Sequence, residues 1–159
     1  MPEGLRIADL QDDPHAWVRT QAALLRRGDA GLKTLDSEGL SDFLEEWADD
    51  MLSTARSHMV NLMAHAAKVA KTRNPDVIGH WRSECVEFHD RLIEAYRPSM
   101  RDRIDSASLW RRALRKVFAS FDDHGEPRPS LPAQCPVSLD DLVDPELDLD
   151  RLVATIRGD

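Results

Sequence analysis

Apolar positions along the chain recur at spacings of three and four residues, which is the period of one face of an α-helix. The clearest run lies between residues 51 and 72 and consists of Leu52, Ala55, Met59, Leu62, Ala66 and Val69. A second run of the same spacing consists of Ile78, Trp81, Cys85, Phe88, Leu92 and Ala95. Between them, Asn74-Pro75 joins a residue typical of helix N-caps to a proline suited to the first helical turn. The pattern predicts an antiparallel hairpin of helices over residues 51–72 and 76–96.

Weaker signals predict the other helices. Asp13-Pro14 begins a helix that runs to about Arg27 and ends at Gly28, and a second helix begins near Asp36 or Ser37. Their predicted inner faces hold Trp17, Gln21, Leu24 and Leu25 in the first helix, and Leu40, Phe43, Leu44 and Trp47 in the second. Pro98-Ser99 begins a long helix whose predicted inner face holds Met100, Ile104, Ala107, Trp110, Leu114, Val117 and Phe121.

The C-terminal part of the sequence predicts irregular structure followed by short helices. Residues 122–136 contain four prolines and one glycine, which is typical of an extended loop. The segment from Ser138 to Asp141 has the spacing of a capping box, so we expect a short helix there. A last helix is expected near residues 147–156.

The predicted fold is all-α: an antiparallel bundle of four to five main helices, with a long proline-rich loop and one or two short C-terminal helices. A length of 159 residues fits a single helical domain over residues 1–159. We expect more than about 60% of the residues to be helical, roughly twice the average for globular proteins. The side chains expected to be most buried are Met59, Leu62, Trp81, Cys85, Phe88 and Leu114.

Charge is distributed in three blocks. Residues 1–50 carry 5 basic and 12 acidic side chains, residues 51–116 carry 13 and 7, and residues 117–159 carry 3 and 10. The basic middle block contains a candidate nucleic-acid surface at Arg101, Arg103, Arg111, Arg112, Arg115 and Lys116. However, the formal net charge of −8 repels phosphate at long range. The sequence therefore does not favour a nucleic acid as a partner.

The sequence also restricts the compartment and the cofactor. No run approaches the roughly 18 apolar residues of a membrane span, and Met1–Leu10 contain no apolar run typical of a signal peptide. The two cysteines, Cys85 and Cys135, are too far apart to form a Cys-x-x-Cys site and too few for a disulfide framework. We therefore expect a cytoplasmic protein without a cofactor and without membrane attachment.

Large and sulfur-containing side chains are expected to anchor the core. The four tryptophans, Trp17, Trp47, Trp81 and Trp110, fall one to each main helical segment. Large aromatic rings dominate burial, so we expect each of them in the core. Cys85 is expected to be a core thiol, and Cys135, between Pro132 and Pro136, is expected to fix the loop against the bundle.

Several blocks, in order, are similar to a known family. They are Asp13, Trp17 and Gln21, then Leu24-Leu25-Arg26, Leu35-Asp36, Leu40, Ser57, Leu62, His65, Lys68, Trp81, Pro98-Ser99-Met100, and the segment from Leu131 to Leu142. On these residues the chain resembles the bacterial family called domain of unknown function 29, over about residues 13–144, with terminal extensions at 1–12 and 145–159. The resemblance implies an all-helical fold and no established activity.

The histidines indicate a candidate binding surface. His58 and His65 are seven residues apart, so they lie on the same side of the first hairpin helix, two turns apart. A tight turn near Asn74-Pro75 pairs residues whose numbers sum to about 149. This register places His65 opposite Glu84 and His58 opposite Arg91. The residues of the candidate surface are His58, His65, Lys68, Trp81 and Glu84.

This surface permits more than one interpretation. His65 and Glu84 can form a structural histidine–carboxylate pair between two helices, or they can supply two ligands of a metal ion. In the second case the third ligand would come from another chain or from one of His15, His58, His80 and His89. The sequence favours a binding or protein-interaction module without catalysis, with a protein partner or self-association. The alternatives are a metal-dependent enzyme of the helical-bundle type and an antitoxin-like regulatory partner of a neighbouring gene product.

Overall fold

The computed structural model of the protein describes residues 12–26 and 37–158. Helices account for 77% of the described residues, and no strand occurs among them. The helices are α1 (Pro14–Arg26), α2 (Ser37–Lys71), α3 (Pro75–Ala95), a 3₁₀ helix (Pro98–Arg103), α4 (Ser106–Asp123), α5 (Leu139–Leu142) and α6 (Leu149–Arg157). The all-α prediction is confirmed, whereas the predicted helix end at Gly28 lies outside the described residues. None of the described helices combines the length and the apolar character needed to cross a membrane.

The predicted capping residues begin the helices as expected. The Asn74 side chain accepts a hydrogen bond from the Asp76 N–H at 3.0 Å, with Pro75 in the first turn of α3. Asp13 caps α1 in the same way, because its Oδ1 accepts from the Ala16 N–H at 3.0 Å. These bonds satisfy backbone donors that have no partner inside a helix.

Two predicted helix boundaries were wrong. The helices predicted near residues 37–50 and 51–72 are one helix, α2, because no proline or glycine interrupts the chain between them. Conversely, the long helix predicted from Pro98 is divided into the 3₁₀ helix and α4. Asp105 causes this division, because its side chain accepts the Ala107 N–H at 3.1 Å and so begins a new helix.

The chain divides into two compact units, and the boundary falls within α2. The first unit comprises Met1–Thr54 and Arg97–Arg103, and the second comprises Ala55–Tyr96 and Ile104–Asp159. The single domain expected from the sequence therefore stays a prediction.

In the first unit, α1 does not bury the face that the sequence predicts. Its buried residues are His15, Val18 and Ala22, whereas Trp17, Gln21 and Leu25 are half-buried and Leu24 is exposed. The small Ala22 side chain allows α2 to approach closely, and the buried Ser41 hydroxyl donates to the Ala22 carbonyl at 3.0 Å. The predicted inner face of the next helix is also wrong, because Leu40, Phe43 and Trp47 are exposed.

The core of the second unit is formed by α2, α3, α4 and the C-terminal segment. Met59, Leu62 and Cys85 are fully buried, as predicted. Trp81, Phe88 and Leu114 are only half-buried, so this part of the prediction was wrong. Trp81 contacts Lys68 and Phe88 contacts His65, so these rings pack against polar side chains of α2 and not against its apolar core residues.

The proline-rich loop is held against the second unit. Trp110 is fully buried, and its indole N–H donates to the Pro132 carbonyl at 2.8 Å. The Cys135 thiol donates to the Val137 carbonyl at 3.3 Å and lies 3.9 Å from the Met63 sulfur. Ser138 then caps α5 by accepting the Asp141 N–H at 3.0 Å. These contacts confirm that the loop packs against the helices.

Candidate functional site

The predicted pair of His65 and Glu84 is present at the α2–α3 contact. His65 Nε2 lies 2.9 Å from Glu84 Oε2, and the His65 side chain is 14% exposed. On the other side of the ring, Nδ1 lies 2.8 Å from the backbone carbonyl of Asn61, one helical turn earlier. The turn register therefore placed these two side chains together correctly.

The two contacts of His65 define where its protons lie. A carbonyl oxygen only accepts hydrogen bonds, so Nδ1 carries a proton and donates it to Asn61. The contact of Nε2 with the Glu84 carboxylate, 2.9 Å away, is favourable when Nε2 also carries a proton, because a carboxylate accepts hydrogen bonds.

The Phe88 ring lies near both histidines of this face. The Phe88 ring lies 5.1 Å from the His65 ring and 6.5 Å from the His58 ring, measured between centroids. His58 Nδ1 is buried and has no hydrogen-bond partner among the described residues. Burial and the nearby charge of Arg91 both lower the pKa of His58, which agrees with the predicted proximity of these two residues. Arg91 itself pairs with Glu87.

Two lysines complete a group of cationic side chains beside His65. Lys68 Nζ lies 5.4 Å from the centre of the Trp81 ring. Lys116, on α4, donates to the Asn61 side-chain oxygen at 2.5 Å. Burial lowers the pKa of Lys68, and the charge of Lys116 lowers it further, while Glu84 opposes this shift. We call His65, Lys68 and Lys116 the cationic cluster.

Electrostatics within the cluster are mutually unfavourable. The pKa of His65 is lowered, chiefly by burial, and the charges of Lys68 and Lys116 add to this effect. The Asn61 carbonyl and Glu84 act in the opposite direction. Lys68 and Lys116 therefore make it less favourable for His65 to carry a positive charge, and the Glu84 carboxylate makes it more favourable.

Asn61 and Lys116 were not predicted as members of this arrangement, whereas His80 was named as a possible third metal ligand. Asn61 precedes His65 by four residues, so helical spacing could have identified it. His80 lies four residues before Glu84, and its Nε2 is 3.5 Å from Glu84 Oε2. Lys116 is 55 residues away from Asn61 in the chain, and no local signal indicates their contact.

A metal centre is not formed by the predicted ligands. Among the residues that the structure describes, no group of three His, Cys, Asp or Glu side chains is arranged to hold a metal ion. Two of the candidate third ligands have other partners: the His15 ring lies 3.1 Å from the Ser99 hydroxyl, and His89 Nε2 lies 2.9 Å from the Asp144 carbonyl.

The predicted anchors differ in burial. Trp110 is fully buried, Trp17 and Cys135 are half-buried, and Trp47 is 43% exposed. The expectation that all four tryptophans lie in the core was therefore wrong. Burial raises the pKa of the Cys85 thiol to about 12 and also raises the pKa of Cys135, so neither is an activated nucleophile.

The fold and the site define an all-helical protein in which a histidine–carboxylate pair joins two antiparallel helices. A family model described as "Domain of unknown function DUF29" matches residues 10–147, and the chain belongs to this family. The chain is also similar to an alpha-helical protein of unknown function from Rhodospirillum rubrum ATCC 11170, known from a crystal structure. The TM-score is 0.84 at 28% sequence identity, over 92% of this chain and 96% of that chain. No curated protein matches the sequence.

Proposed function

We propose that this protein is a binding module without catalysis, and that the cationic cluster recognises carboxylates of an acidic protein partner. The observation that carries the proposal is the convergence of Lys68 and Lys116, from two helices, on His65. A bound carboxylate would relieve the repulsion among these groups. It would also receive charge-assisted hydrogen bonds, which are stronger than neutral ones.

The neighbourhood of the cluster favours a protein partner over a nucleic acid. Trp81 and Phe88 are half-buried beside the cluster, and aromatic rings next to basic side chains are typical of protein interfaces. A nucleic acid carries a charge on every phosphate along its length, so the net charge of −8 opposes its approach more than that of a short acidic segment. A protein segment that offers carboxylates to the cationic cluster and an apolar side chain to the two rings fits this surface.

The chemistry of the cysteines supports a cytoplasmic location for this activity. Cys85 and Cys135 are both free thiols. Unpaired cysteines are typical of reducing compartments, where disulfides rarely persist.

The test compares two double variants of the full chain that lose the same charge. Lys68→Gln with Lys116→Gln removes two charges of the cluster, whereas Arg73→Gln with Arg112→Gln removes two exposed charges outside it. The probe is a hexaglutamate peptide followed by isothermal titration calorimetry. We expect the cluster variant to bind at least about tenfold more weakly, a loss of about 1.4 kcal/mol, and the matched variant to bind like the wild type.

The same pair of variants also tests recognition of a natural partner. Wild-type protein should retain acidic proteins from an extract of its source organism, and the cluster variant should lose them while the matched variant keeps them. Equal weakening in both variants, or no saturable binding of the peptide to the wild type, would contradict the proposal.

A further inference from the structure

The first half of α2 exposes an apolar line that the described residues of its unit do not cover. Leu40, Phe43 and Trp47 are 37%, 62% and 43% exposed, and their spacing of three and four residues puts them on one line along the helix. Exposed aromatic side chains in a continuous line are typical of interaction sites. Beside this line lies a row of two exposed carboxylates, Glu46 and Asp50. We call these five residues the acidic stripe.

The outer face of α4 has the complementary character. Leu114 and Phe118 are half-buried in a shallow depression, and the exposed Arg111 and Arg115 lie beside them. The Arg128 guanidinium lies 5.6 Å from the centre of the Phe118 ring, so this ring already accepts a cationic neighbour. We call Arg111, Leu114, Arg115 and Phe118 the basic face.

The two surfaces match in spacing as well as in charge. Each surface has one apolar pair and one charged pair. The two members of every pair are four residues apart, which is about one helical turn. Seen along the helix axis, at 100° per residue, Glu46 and Asp50 lie to one side of Phe43 and Trp47. Arg111 and Arg115 lie to the opposite side of Leu114 and Phe118. When the two helices run parallel with Phe43 level with Leu114, the charged rows lie on the same side of the contact, and Glu46 lies within one helical turn of Arg115.

We propose that the acidic stripe of one copy of this chain binds the basic face of a second copy. Contact of the stripe with itself would bring carboxylates together, which is unfavourable, so the interface is head-to-tail. Such an interface closes into a ring or continues as a chain of copies. The contact uses neither His65 nor Lys68, so it is independent of the function proposed above.

The test measures the mass of the full chain by analytical ultracentrifugation over a range of concentrations. We expect the wild type to associate as its concentration rises and to dissociate at high salt. One variant, Phe43→Ser with Trp47→Ser, removes the stripe, and another, Arg111→Glu with Arg115→Glu, removes the basic face. All four side chains are exposed or lie on outer faces, and circular dichroism checks that the variants fold. Each variant alone should be monomeric.

Mixing the two variants gives the decisive result, because each retains the surface that the other lacks. We expect the mixture to form complexes of one copy of each and nothing larger. A chain carrying Glu46→Arg and Asp50→Arg together with Arg111→Glu and Arg115→Glu should associate again. The proposal is overturned by a monomeric wild type at all concentrations, by association that survives loss of the basic face, or by a mixture that stays monomeric.

Discussion

The two halves of α2 use the same helix in opposite ways. Within residues 37–54 the side chains recorded as buried are Ser41, Ala48 and Leu52, and the large aromatic side chains Phe43 and Trp47 are in water. Within residues 55–71 ten apolar side chains are buried: Ala55, Met59, Val60, Leu62, Met63, Ala64, Ala66, Ala67, Val69 and Ala70. A helix that is apolar on most of its circumference is a core helix, whereas one with a separate exposed apolar line is prepared for a partner.

This difference explains why the candidate chemistry lies in the second half. His65 and Lys68 emerge from a core segment, so their side chains are partly desolvated and held by Asn61, Trp81 and Glu84. Polar groups fixed in this way can recognise a charged group with little further ordering. In the first half, the large apolar side chains of Phe43 and Trp47 lie in water, which suits docking of another surface.

The largest expected effect concerns the tail of the second unit. Deletion of residues 123–159 removes five buried apolar side chains, namely Val137, Leu142, Leu152, Val153 and Ile156. Each contributes about 1.5–3 kcal/mol on burial, so the loss is comparable to the whole stability of a domain. We expect the melting temperature to fall by at least several degrees, as followed by circular dichroism. A truncated chain that melts like the full one would show that the tail does not stabilise the core.

Two tryptophans sharpen the comparison between the units. Trp110→Ala should lower the free energy of unfolding by about 3–5 kcal/mol, because it removes a fully buried ring and its hydrogen bond to Pro132. Trp47→Ala should change it by less than about 0.5 kcal/mol, because this ring is exposed. Urea denaturation measures both values. Similar losses in the two variants would remove the distinction between core and docking surface.

His65 is expected to stabilise the fold by an intermediate amount. His65→Ala leaves the half-buried Glu84 without its main partner and should cost about 1–3 kcal/mol. His80→Ala is the matched control, since His80 lies near the same carboxylate but is 71% exposed, and it should cost little. If His65→Ala instead leaves the unfolding free energy unchanged and abolishes binding of hexaglutamate, the residue serves only the ligand.

The smallest effect is a dependence of stability on pH in the first unit. His15 is almost completely buried, and burial, helped by the charges of Arg103 and Arg19 against those of Asp13 and Asp49, lowers its pKa below the ordinary value. The unfolded chain therefore takes up a proton near pH 6.5 before the folded chain does. Stability is complete above this pH and falls below it.

Replacement of His15 by a residue that does not titrate should flatten this dependence. We expect the unfolding free energy of His15→Gln, measured by urea denaturation at pH 7 and pH 5.5, to fall less on acidification than that of the wild type. An equal fall in both proteins would assign the pH dependence to other groups.

The sequence predicted the α2–α3 hairpin and the contact of His65 with Glu84, because a short capped turn between two regular helices determines their register. Exposure of Phe43 and Trp47 could not be predicted in the same way. Periodicity identifies an apolar line but does not show what covers it, and here the small buried residues Ala22 and Ser41 form the contact between the helices instead. Lys116 was missed because it reaches the site from a distant helix.

The most direct test of the account is to map where a carboxylate-rich ligand binds. Hexaglutamate is titrated into ¹⁵N-labelled full-length protein, and chemical shifts are followed by NMR. The account predicts saturable, salt-sensitive shifts at the backbone amides of Asn61, His65, Lys68 and Lys116 and at the indole N–H of Trp81. Shifts centred on Arg111 and Arg115, or distributed over all basic residues alike, would contradict it.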